Sequence, residues 1–129
     1  MTDLVVVDTD VLIDYLRDRT EAVAYIDALS EPVLMSVVTL AELYAGVREG
    51  SERLFLDMFV SVFEMVAVDS EIARLAGLFR RTYGKSHNLG LPDALIAATA
   101  QTRKARLVTL NRKHFPMLAD VVVPYQKFS

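Results

Sequence analysis

The sequence predicts an α/β sandwich built around a mostly parallel sheet, and three observations carry that prediction. Short apolar strands alternate with longer stretches at helical spacing along the whole chain. Residues 4–7, LVVV, are continuously apolar, as in a strand buried on both faces. No linker, repeat or low-complexity tract interrupts the pattern, and 129 residues suffice for one domain, 1–129, with a sizeable core.

The elements follow in order. Leu4–Val7 is the first strand, and Asp10 is placed to cap a helix running to about Leu16. Thr20 is placed to cap a second helix, with Ala22, Tyr25, Ile26 and Leu29 on one face. Pro32 ends that pattern, and Val33–Ser36 reads as a short strand. A helix from about Thr39 to Arg48 closes near Gly50. Ser51 caps the next, whose apolar face is Leu54, Phe55, Met58, Phe59 and Val62. Met65–Val68 is a strand, and Asp69 or Ser70 starts a helix carrying Ile72, Leu75, Ala76 and Phe79. A loop from Gly84 to Gly90 leads to Pro92, suited to the first turn of a helix ending near Arg103. Arg106–Thr109 is a strand, His114–Phe115 a short turn and Asp120–Val123 the last strand.

Composition narrows the classes. The chain is 53% hydrophobic, too apolar for a disordered protein, yet no apolar run reaches the roughly 18 residues of a membrane span. MTDLVVVD carries an acid and no basic segment, so it does not read as a signal peptide. The absence of cysteine removes disulfides, Cys-ligated zinc and thiol nucleophiles, and a cytoplasmic location is the expectation. The net charge of −3 hides an asymmetry: residues 1–71 hold 15 acids and 4 Lys/Arg, residues 72–129 hold 2 acids and 10 Lys/Arg. Net acidity disfavours indiscriminate nucleic-acid binding, whereas the basic segment from Arg103 to Lys113 suits phosphates or a solvated surface facing the acidic half.

Three carboxylates stand in apolar stretches: Asp8 after the first strand, Glu42 in SVVTLAELYAGV, and Asp93 in LGLPDALIAATA. A carboxylate among buried-type residues must be paired, hydrogen-bonded or bound to a cation. Asp93 is the only acid from Ile72 to Ala119, among nine Lys and Arg. Each acid also has a local explanation. Asp8 starts a turn where the chain leaves the sheet, and Asp10 has the same ambiguity as a helix cap. Thr39 and Glu42 have capping-box spacing, although Glu42 points away from the stripe of Leu40, Leu43, Tyr44 and Val47. Asp93 sits in a first helical turn, where the macrodipole favours an acid by about 0.3–1 kcal/mol. Three local explanations predict three unrelated positions, whereas a metal site predicts one.

Other chemistry competes poorly. His87 and His114 are far apart in sequence and belong to no zinc-type pair, which suits surface residues. Ser36 and Thr39 lack a nucleophile elbow, and no Gly-rich phosphate loop is present. Oxygen donors alone suit Mg²⁺ or Mn²⁺, and an acidic metal site suits phosphodiester hydrolysis.

Four motifs in this order, VVVDTDVLIDYL, SVVTLAELYAGVR, GLPDALIAATA and RLVTLNRKHF, resemble the PIN-domain nucleases, specifically the VapC-type toxins of toxin–antitoxin pairs. The resemblance spans essentially the whole chain. It implies a three-layer PIN-like fold with a central, mostly parallel five-stranded sheet, a homodimer, and a cognate antitoxin that docks a hydrophobic segment and often plugs the site with a basic side chain. It implies Asp8, Glu42 and Asp93 as ligands of Mg²⁺ or Mn²⁺, with Asn111 at a fourth, usually acidic position. Thr109 matches a hydroxyl lining the site. Thr9 is a supporting residue, and Asp10 matches a position next to the metal that is more often Ser or Asn. The implied activity is metal-dependent endoribonuclease cleavage, with a water attacking phosphorus in line and a 5′-phosphate product. RNA-contact candidates are Arg48, Arg80, Arg81, Lys85, Arg112 and Lys113.

Asp8-x-Asp10 after a strand also resembles haloacid-dehalogenase-type phosphatases, but their later lysine and paired-acid motifs are missing. A phospho-accepting receiver is disfavoured because Glu42 and Asp93 fall on helices. A PIN-like protein that holds RNA or antitoxin without cutting is the non-enzyme alternative, and Asn111 is its support.

Overall fold

Strand β1 (Val5–Val7) occupies the middle of a five-stranded sheet ordered β3-β2-β1-β4-β5, with β2 at Val33–Ser36, β3 at Glu64–Val66, β4 at Arg106–Val108 and β5 at Val121–Val122. The computed structural model describes residues 4–30 and 32–127, so the N-terminal reading, which rests partly on Met1–Asp3, lies outside the described residues. Every pairing is parallel, making the sheet parallel throughout rather than mostly so.

Strand periodicity divides the core into two faces. Val6, Leu34 and Leu107 point to one face and meet Ile72, Ala76, Ile96 and Ala97 of helices α5 (Ser70–Tyr83) and α6 (Leu91–Thr102). Val5, Val7, Met35 and Val108 point to the other. They meet Val11 and Leu12 of α1 (Thr9–Leu16), Leu43 of α3 (Val37–Ala45) and Leu56 of α4 (Ser51–Val60). Helix α2 (Thr20–Asp27) lies beside α1. Burying each large aliphatic side chain is worth about 1.5–3 kcal/mol, so both faces stabilise the sheet. Among the described residues, no helix is long and apolar enough to cross a membrane.

The element order matches the expected one, and the differences lie at helix starts. Asp8, not Asp10, occupies the N-cap of α1 and accepts from the Thr9 amide, while Asp10 lies in the first turn. Arg19 stands at the cap position of α2 without a side-chain bond, and Thr20 is the first helical residue. Helix α3 begins two residues before Thr39 and ends at Ala45: Ser36, the last residue of β2, caps it by accepting from the Val38 amide at 3.1 Å. The Thr39–Glu42 capping box therefore does not form. Gly50 rather than Ser51 precedes α4. Asp69 does cap α5, accepting from the Ile72 amide at 2.9 Å.

The topology positions a site. From β1 the chain goes outward to β2 and β3, then returns to the opposite side of β1 for β4 and β5. The connections diverge where β1 meets β4, and crevices at the carboxyl ends of such strands are where ligands bind in open α/β sheets. Asp8 follows β1 there and Thr109 follows β4, and the Asp8 amide donates to the Val108 carbonyl at 2.8 Å.

Candidate metal centre

Asp8 is 6% exposed, a carboxylate at the end of three buried valines. Its Oδ1 accepts from the Thr9 amide at 2.8 Å, and its Oδ2 accepts from the Thr109 hydroxyl at 2.7 Å. Burial, then the charge of Asp10, then that of Asp93 push its carboxyl up to about 7, against the two hydrogen bonds that favour the ionised form. Asp10 is also raised, by burial first and by the charges of Asp93 and Asp14, while amide bonds from Leu110 and Val11 oppose the shift. Its Oδ2 accepts from Leu110 N at 3.1 Å and lies 3.5 Å from the Thr109 hydroxyl. Asp10 is therefore a tether between α1 and the segment after β4.

That segment contains Asn111. Its backbone amide donates to the Thr109 hydroxyl at 3.1 Å, so Thr109 links Asp8 to the turn that begins at Asn111. Asn111 is exposed. Glu42 joins from α3: Thr9 Oγ1 lies 2.6 Å from Glu42 Oε1 and 3.0 Å from the buried Thr39 Oγ1. A hydroxyl has one proton, and the shorter contact to a carboxylate takes it. Glu42 thus bonds to the first residue of α1 and not to the amide of its own cap.

Asp93 arrives on α6. Ala94, Ala97, Ala98 and Ala100 are fully buried, and their small side chains let this helix lie close to α5 and the sheet. Close packing carries the first turn inward, near enough for Asp93 to raise the proton affinity of both Asp8 and Asp10. Asp93 Oδ2 lies 3.7 Å from His114 Nδ1, a buried atom with no hydrogen-bond partner. His114, expected at the surface, is half-buried against the acid.

The fold thus brings Asp8, Thr9, Asp10, Glu42, Thr109 and Asn111 into one hydrogen-bonded region and sets Asp93 within its field. Among the described residues, however, no three acid or histidine side chains stand close enough together to hold a metal between them. Glu42 is taken up by Thr9, and Asp93 reaches Asp8 through charge. The basic candidates scatter: Arg48 lines a cleft between α1, α3 and α4, Arg80 donates to the Leu89 carbonyl, and Arg81 is exposed on α5. Lys85, Arg112 and Lys113 line a different cleft.

Two residues escape sequence reasoning. Thr39 has the spacing of a cap, yet its buried hydroxyl supports Thr9. Asp14 is 3% exposed and accepts from Tyr125 at 2.8 Å and Lys127 at 2.7 Å. Burial works against its charge, but the bonds from Lys127 and Tyr125 hold its carboxyl below the usual range. A signal for it exists: Asp14 is a further acid in the apolar run after β1, one helical turn beyond Asp10.

Comparison with known proteins adds a family. The PIN domain model matches residues 5–120. The chain is 39% identical over 125 residues to Ribonuclease VapC10 of Mycobacterium tuberculosis, covering 95% of this chain and 93% of that protein. It is 40% identical over 124 residues to Ribonuclease VapC19 of the same organism, covering 92% and 98%. Among solved structures, a chain of a toxin–antitoxin complex from Klebsiella pneumoniae superposes with a TM-score of 0.83 at 31% identity, covering 95% of this chain and 99% of that one.

Proposed function

The chain belongs to the PIN-domain family, and we propose that it is a VapC-type ribonuclease toxin, neutralised by a cognate antitoxin, that cuts RNA with Mg²⁺ or Mn²⁺. The observation that carries the site reading is Asp8. It is buried, fixed by the Thr9 amide and the Thr109 hydroxyl, and its proton affinity is raised by burial and by Asp10 and Asp93, so a cation there relieves charge repulsion. The candidate ligands are carboxylate and amide oxygens, with a single imidazole, His114, 3.7 Å from Asp93, a set that fits a hard divalent ion and not zinc in a thiolate or multi-histidine cage.

In this reading Asp8 and Asp93 bind the ion, and Glu42 joins directly or through water. When bound, such an ion supplies neutralising charge for phosphate oxygens and lowers the pKa of a bound water. The protein's part is orientation. Thr109 and the Thr9 amide fix the Asp8 carboxylate. Thr9 holds Glu42 toward α1. Asp10 fastens the segment carrying Asn111, a neutral oxygen donor in place of a fourth acid.

The antitoxin partner has surface support. Helix α4 and the turn after it expose Leu54, Phe55, Met58 and Val62, with Met58 71% and Val62 77% exposed. Beside it lies a cleft of about 420 Å³ whose lining mixes Ile13, Leu43, Phe55 and Leu56 with Arg17, Arg48, Glu52 and Glu42. A hydrophobic segment on that face could extend a basic side chain toward the acids. Homodimer formation and a cytoplasmic location belong to the same family-based reading.

The test is cleavage of total RNA with Mn²⁺ by wild type and by Asp93→Asn. Wild type is expected to cut, and the variant to lose nearly all activity while keeping its fold. Equal cutting by both contradicts the site.

A further inference from the structure

A second cleft, of about 600 Å³, opens between the loop 84–90 and the turn 112–116. Its lining includes Lys85, His87, Asn88, Arg112, Lys113 and His114, and no acid. Among the described residues, no carboxylate stands within ion-pair distance of Lys85, Arg112 or Lys113, so their charges are not offset locally. Three cations without ion-pair partners facing one concavity create a local positive potential on a chain of net charge −3. His114, in the cleft's lining, reaches toward the acidic centre: its buried Nδ1 lies 3.7 Å from Asp93 Oδ2.

The walls are fixed rather than loose. Arg80 donates from Nε to the Leu89 carbonyl at 2.6 Å, fastening the loop to α5. His87 packs edge-on against Tyr83 and bonds to Ser86. Asn88 holds the left-handed backbone conformation at φ +53°, which Asn tolerates better than most residues. His87 and His114 put two imidazole rings in the lining, the ring type on which unstacked bases stack, and Ser86 and Asn88 add neutral hydrogen-bonding groups.

Resting on the nuclease reading, we propose that this cleft binds single-stranded RNA flanking the cut bond, with Lys85 and Lys113 on its phosphates and His114 at the junction with the carboxylates. It divides the six basic candidates. Lys85 and Lys113 face the substrate beside Arg112, whose Nη2 donates to the Val121 carbonyl at 3.0 Å; Arg80 builds a wall, Arg48 belongs to the cleft that Glu42 lines, and Arg81 is exposed on α5 outside both clefts.

The experiment uses the full chain and a short unstructured RNA. Steady-state cleavage with Mn²⁺ is measured for wild type, for Lys85→Ala/Lys113→Ala, and for Arg74→Ala, a cation outside both clefts. Binding of the same RNA across a salt series is measured in the Asp93→Asn background. The double variant is expected to raise KM on the order of tenfold with kcat little changed. Its log–log salt slope should fall by about 1.4, since each single-strand phosphate that a lysine neutralises adds roughly 0.7 to the slope. Arg74→Ala should change neither. A wild type that cuts RNA alongside a double variant with unchanged KM and slope overturns the cleft assignment alone. A double variant that keeps its KM for RNA but loses antitoxin binding assigns the cleft to protein and also overturns it. A wild type that leaves every RNA intact overturns the nuclease reading itself, and the cleft with it.

Discussion

Asp8 carries opposing demands, since its fold context disfavours the charge that its proposed chemistry needs. The sign of the resulting pH dependence follows from its raised carboxyl. Between the ordinary value near 4 and about 7, the folded state binds a proton that the unfolded state has released. Stability of the metal-free protein therefore falls as pH rises through that window. Asp8→Asn removes the charge and keeps a capping side chain. It is expected to abolish cleavage yet stabilise the metal-free protein at pH 8 by up to about 4 kcal/mol, with the gain vanishing near pH 4. Thermal melts at pH 4 and 8 check this. Metal binding must displace the same proton. Mn²⁺ affinity by calorimetry should weaken up to about tenfold per pH unit below 7, and a flat affinity from pH 8 to 5 would count against the cluster. At Glu42, Gln retains an oxygen for the Thr9 hydroxyl but loses charge. Glu42→Gln should keep the melting temperature within a few degrees and lose cleavage; full activity would leave Glu42 only a structural partner of Thr9.

The elements show how sequence signals compete. Thr39 and Glu42 have the spacing of a capping box, but Ser36 takes the cap because β2 runs into α3 without a loop. Val37 and Val38 look strand-like by side chain, yet they form the first helical turn, so the absence of turn residues hides the boundary. Helix α6 is legible throughout: Pro92 marks its first turn, and the alanines that predict close packing are all buried. The C-terminal segment is not legible, because Asp14 gives no sequence hint that its partners lie 111 and 113 residues away. Tyr125→Phe removes one hydrogen bond to that buried carboxylate and should destabilise by about 1–2 kcal/mol in denaturant unfolding. No measurable change would mean that Lys127 and Arg19 suffice to satisfy Asp14.

At the scale of the molecule, alternation of strands and helices predicts a parallel α/β sandwich, but the strand order β3-β2-β1-β4-β5 depends on non-local pairing that no local pattern encodes. That order makes β1 and β4 neighbours. It brings Asp8 to within 2.7 Å of Thr109, a residue 101 positions away, and so turns separate acids into one region. The three acids are visible one by one as charges in apolar stretches; the hydroxyls and the amide of Leu110 that organise them appear only with the fold. The most direct test of a shared centre is a Mn²⁺ titration at pH 8, read by calorimetry, for wild type, Asp8→Asn and Asp93→Asn. One site per chain in wild type, lost in both variants, is the predicted result. Unchanged binding in Asp93→Asn would contradict the claim that Asp8 and Asp93 hold the same ion.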